Sequence, residues 1–224
     1  RYDLPLPLNF YLFGGGLTVL VSFIIIASFK KRRHANNPYP TFTVLHYSVA
    51  SVKRVCILMQ FIALVTFVLI ISTGLIGNQN PIENLAPTSI WIIWWVGFTI
   101  FTAFWGNLWP TINPFAIIYD FISALYSKLT NEDLSFNLTY PKQLGITPAL
   151  ILFMIFVWFE TIYPESGTPS HIAVAIILYL MVTFTGMLVF GKTCWLKHGE
   201  AFSILFYLLS LCSITEIQRK GHLY

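Results

Sequence analysis

The sequence predicts an all-α fold, a polytopic transmembrane helical bundle of about five spans with two short re-entrant or interfacial helices. Three observations predict it. Hydrophobic residues make up 56% of the 224 residues and charged ones 10%, against about 45–50% and about 25% in soluble domains. The apolar residues come in long blocks, not in one stripe per helix as on an amphipathic surface helix. Basic residues cluster beside those blocks, as the positive-inside rule describes for membrane proteins. The same clustering accounts for the formal charge of +4 and removes nucleic acid as a partner.

A hydrocarbon core of roughly 30 Å needs about 20 apolar residues per helix, and blocks 8–29, 55–77, 89–109, 146–163 and 171–191 approach or exceed that length. Block 8–29 has no cleavage site, and its basic cluster follows it, so it reads as a retained span, not a signal peptide. Gly14, Gly15 and Gly16 within it permit close helix contact. Lys30, Lys31, Arg32 and Arg33 after it, with Lys53 and Arg54 before the next block, place loop 30–54 in the cytoplasm and the N-terminus outside. Loops 78–88 and 164–170, which carry no Lys or Arg, then face outward, and loops 110–145 and 192–200 face inward. Trp91, Trp94, Trp95 and Trp158 fall at outer ends of spans and Trp105, Trp109 and Trp195 at inner ends, as indole rings at a lipid interface would.

After the third block, "GNLWPTINPF" stops one helix and starts another. Pro110 cannot donate to the helical ladder and disfavours helix at Trp109, so the span is expected to end there. Asn113 is a favoured N-cap and Pro114 suits the first helical position, so a helix is expected from Pro114 through Leu129. "GKTCWLKHGEAFSILFYLLSL" has the same grammar: a glycine after a span, an interfacial Trp195, a polar turn, then the run 201–214, whose length suits a re-entrant, interfacial or buried helix better than a span. The succession of span, turn, span, break and short helix therefore suggests a parallel repeat, 55–129 and 146–214, inside one transmembrane domain covering 1–224. Such repeats with broken helices recur in transporters. Beginning at Arg1 without methionine and ending in a polar stretch at Tyr224, the chain reads as a piece of a longer protein.

Ionisable side chains inside spans are costly and therefore candidates for function. Asn113, Asp120, Glu160, His198 and Glu200 are the candidates for a substrate or proton pathway. Glu200 also suits a helix N-terminus, by its charge, and His198 suits proton transfer, by its titration near neutrality. Glu160 and His171 are the candidate metal ligands, since carboxylate and imidazole together suit several divalent ions. Cys56, Cys194 and Cys212 form no CxxC pair and read as inert buried thiols. "NLT" at 137–139 matches a glycosylation sequon but lies in a loop placed inside. His34, His46 and His222 have no partner at ligand spacing. Nucleotide, zinc-protease and serine-hydrolase signatures are missing, and no cofactor follows.

The stretches "RYDLPLPLNFYLFGGG", "NPFAIIYD", "YPKQLGITPALILFMIFVWFETIYP" and "FGKTCWLKHGEAFSILFYLLS" resemble a family of prokaryotic multi-pass membrane proteins described as fenitrothion-hydrolase-like. The resemblance covers most of the chain. It implies further spans beyond Tyr224 and hydrolysis of an organophosphorus ester, with Asp120, Glu160, His198 and Glu200 inside the resembling stretches. From the residues themselves, the expected role is a structural or accessory subunit of a membrane complex, in contact with the lipid bilayer and with other integral subunits or further copies of itself. Two alternatives stand beside it: a permease using the broken-helix junctions, and a membrane-embedded hydrolase or metal-dependent enzyme. The expected location is the inner or plasma membrane.

Overall fold

The computed structural model describes residues 49–213 and, in the first block, Phe13, Gly16, Leu17, Leu20, Val21, Phe23 and Ile24. Residues Arg1–Tyr47 form one compact unit and Ser48–Tyr224 another. The described positions of the first unit are helical and exposed. Most of span 8–29, the basic cluster after it, His34, His46, Arg219, Lys220 and His222 lie outside the described residues.

Among the described residues, every regular element of the second unit is helical, as the sequence predicts. Helix α1 (Val49–Ile76) carries Lys53 and Arg54 near its start and beyond them is apolar without a preferred face, with no acidic or basic residue in its last turn. Helix α2 covers Leu85–Trp105 and is wound as a wide π-helix over Thr88–Phe98. Then come the single turn α3 (Trp109–Ile112), α4 (Pro114–Thr130), α5 (Thr147–Thr161), α6 (Pro169–Phe190), α7 (Lys192–His198) and α8 (Ala201–Ser210). Among the described residues, Val52–Ile76, Leu85–Trp105 and Pro169–Phe190 are long and apolar enough to cross a bilayer, with mean hydropathies of 2.7, 1.4 and 2.5. The chain is therefore read as a membrane protein. The block at 146–163, expected to span, forms the shorter α5, because Tyr163 to Thr168 fold into turns before Pro169 opens α6.

Polar side chains close the end of the bundle where α1 gives way to α2. Asn84 caps α2 by accepting from Ala86 N at 2.9 Å, while its amide donates to the carbonyls of Thr73 and Asn78 at 2.7 Å each. Gln79 donates to the carbonyls of Gly74 and Gly77 and accepts from Ser170 N, each at 3.0 Å. Backbones come close here: a Cβ on Gly74 would lie 2.8 Å from the Ala173 side chain. The α4–α5 loop closes the other end of α6, with Phe136 N donating to Leu188 O at 2.8 Å and Leu138 N to Val189 O at 2.9 Å. Those carbonyls would otherwise be the unpaired last acceptors of a helix.

The core lies among the helix restarts. Trp109, Phe115, Tyr119, Met187, Trp195, Phe202 and Phe206 form its buried centre. Three expectations are corrected here. Helix α2 ends at Gly106, whose φ of 93° only glycine adopts readily, so the stop comes before Pro110, which sits inside the turn α3. Trp109, expected at the headgroups, is 3% exposed and belongs to the core. Trp195, expected at the inner boundary, is buried as well.

Candidate functional site

The sequence places a polar residue before each restarted helix, and the structure makes both of them caps. Asn113 precedes Pro114, and its Oδ1 accepts from Phe115 N at 3.0 Å and Ala116 N at 3.3 Å. Helix α4 thus begins at the expected residue and runs to Thr130, stopping at Asn131 in the left-handed conformation. Glu200 does the same for α8: Oε1 accepts from Phe202 N at 3.0 Å and Oε2 from Ser203 N at 2.6 Å. A carboxylate there also meets the positive end of the helix dipole.

Glu200 is fully buried, and a buried carboxylate is tolerated only where donors replace its water. Two more donors come from other elements. The Tyr179 hydroxyl of α6 donates to Oε1 at 2.5 Å and the Trp109 indole Nε1–H to Oε2 at 3.2 Å. The carboxylate therefore ties α3, α6 and the start of α8 together. Around it, Phe202 lies 4.5 Å from the Trp94 ring and 5.4 Å from that of Tyr179, so the centre is polar inside an aromatic shell.

The other candidates are dispersed. Asp120 on α4 pairs with Lys192 at the start of α7, 2.6 Å away, in an exposed bridge. His198 directs Nδ1 to the Cys194 carbonyl at 3.0 Å, which makes that nitrogen the donor, and its ring stacks on Tyr140 at 5.2 Å. Burial, and then the neighbouring Cys194, push the Tyr140 phenol above its ordinary range. His171 meets Glu165 at 3.0 Å and Tyr163 at 3.3 Å, while no hydrogen bond joins it to Glu160 among the described residues. No three His, Cys, Asp or Glu side chains come together as metal ligands among the described residues. Trp91 donates to the Ser166 carbonyl at 3.0 Å, and Trp95 packs on Phe156 at 4.8 Å.

Tyr179 is not marked by the sequence as part of this site, and Trp109 lies in the core instead of at the expected headgroup boundary. A tyrosine in the middle of an apolar span is the available signal, since a buried hydroxyl seeks a partner. Its acceptor, 21 residues further along, has no periodic relation to it. Five buried polar groups lack a partner among the described residues: Asn113 Nδ2, Trp195 Nε1 and the hydroxyls of Thr99, Thr102 and Thr183. Comparison of the chain with protein-family models, curated proteins and solved structures gives no match.

Proposed function

We propose that this chain is a structural or accessory subunit of a prokaryotic inner-membrane complex. The observation that supports this reading most is the engagement of its buried carboxylate. Four donors of the protein surround Glu200, two of them backbone groups that begin α8, and through them the group fixes helices. A substrate pathway usually shows more intramembrane charge. The outward faces support it too: Val55, Leu58, Phe61, Ile62, Val68 and Leu69 on α1 and Leu150, Ile151, Met154, Ile155 and Trp158 on α5 are exposed, a surface suited to lipid or to apolar helices of other subunits. The basic flanks support an outward N-terminus and a cytoplasmic loop 30–54. Purification from native membranes in mild detergent tests the reading. Integral membrane partners in fixed ratio are expected, and a partner-free species retaining full stability contradicts it.

A permease is the second reading, favoured by the buried Asn113 amide, which presents an unpaired donor at a helix break. It expects transport that survives Asn113→Asp, which keeps the cap, and fails in Asn113→Leu. The family resemblance supports a third reading, a membrane-embedded hydrolase. It expects organophosphorus-ester turnover lost in Glu160→Gln with the fold intact.

A further inference from the structure

The two restarts are built alike, and their packing partners are crossed. Gly106 (φ 93°) closes α2 and Gly191 (φ 82°) closes α6; a short helix follows each, then a buried cap that accepts from the backbone two and three residues on. In the first turn of α4, Phe115 meets Phe67 of α1 edge-on at 5.5 Å and Tyr179 of α6 at 5.2 Å. In the first turn of α8, Phe202 meets Phe156 of α5 edge-on at 5.1 Å and Trp94 of α2 at 4.5 Å. One turn on, Tyr119 packs on Phe184 of α6 at 5.5 Å and Phe206 on Phe98 of α2 at 4.8 Å. Each restarted helix thus lies on the first helix of its own hairpin and the second helix of the other.

The hairpins also point the same way. Gln79, just past α1, accepts from Ser170 N at the start of α6, and Trp91 near the start of α2 donates to Ser166 O between α5 and α6. The C-terminal ends of α1 and α5 therefore share one side with the N-terminal ends of α2 and α6. Twenty phenylalanines guarantee many ring contacts, but not three matched pairs at a near-constant offset with partners exchanged. The likeness breaks at the direct hairpin contact, where the backbones of α1 and α6 pack closely and those of α5 and α2 do not, and at the short helices: Trp109 reaches Glu200, whereas Trp195 lies against Gly186 and Gly199. The hydrogen bond between the junctions therefore runs in one direction only.

We infer that residues 55–129 and 146–214 are two copies of one hairpin-and-restart unit, interlocked about a pseudo-two-fold axis by exchange of their restarted helices. Neither hairpin separates from the other unless both α4 and α8 withdraw. The Trp109–Glu200 hydrogen bond couples the two withdrawals. The arrangement is independent of whether the chain is a complex subunit or a permease.

The exposed turn 131–133 lies between the units, and a protease site inserted there in the full chain allows the link to be cut after purification in detergent. The expected result is that both fragments stay together through size exclusion, with an unfolding midpoint close to that of the uncut protein. Phe115→Ala and Phe202→Ala should each lower that midpoint by a similar amount and release the cut fragments. If an alanine variant does not fold, Phe115→Leu and Phe202→Leu give the same comparison with smaller effects. Fragments that part on cutting overturn the interlock, and equivalent positions whose variants differ several-fold in fragment release overturn the two-copy assignment.

Discussion

At the scale of single residues, stability concentrates on the two caps. Removing the Glu200 side chain leaves the Tyr179 hydroxyl, the Trp109 indole N–H and two backbone N–H groups without their acceptor. Each buried donor left without an acceptor costs about 1–3 kcal/mol, so Glu200→Ala should lose about 3 kcal/mol or more, read by denaturant or thermal unfolding in detergent. Glu200→Gln should lose less, because one acceptor oxygen remains, although its amide turns a donor toward donors. Asn113→Ala removes only a neutral cap, worth about 1 kcal/mol, and should speed hydrogen exchange at Phe115 and Ala116 in particular. Both caps were legible, since a polar residue before an apolar helical run has few other uses. The Tyr179 and Trp109 contacts were not legible: they are long-range and follow no spacing rule.

At the scale of elements, glycine decides where helices end. Gly191 holds φ at 82°, and a Cβ there would meet Asn137 Oδ1 at 2.7 Å. Such glycine-only conformations cost other residues about 1–3 kcal/mol, so Gly191→Ala should lower stability by that order. It should also detach loop 134–138 from the end of α6, seen as faster exchange at Phe136 N and Leu138 N. The sequence located the interruption after the third block and the restart at Pro114. It assigned the stop to Pro110, whereas Gly106 ends α2, because a proline at the second position of a new turn has no donor to lose there. Helix α5 came out shorter than its apolar block since hydropathy marks what lipid accepts, while the turn before Pro169 sets where the backbone must leave the helix.

At the scale of the whole molecule, the all-α class and the apolar helices followed from composition and block length alone, because hydrocarbon imposes few solutions on a backbone. The partners inside the core did not, since an apolar block gives no periodic stripe to say which face turns inward. Helix α1 shows this most plainly, being apolar around its circumference and yet touching α3, α4 and α6 on particular sides. Orientation rests on basic flanks. A cysteine replacing Ile82, exposed in the α1–α2 turn, should react with an impermeant thiol reagent from outside intact cells, and one replacing Glu132 only after the membrane is opened. The reverse pattern would invert the topology.

Spin labels on Phe61 and Leu69, two exposed apolar positions of α1, placed one at a time in bilayer-reconstituted protein, test the central claim most directly through their collision rates with oxygen and with a water-soluble relaxant. Solvation of this helix by lipid or by apolar partner helices predicts high or shielded oxygen contact and negligible contact with the relaxant at both sites. Ready access of the aqueous relaxant to both would contradict it.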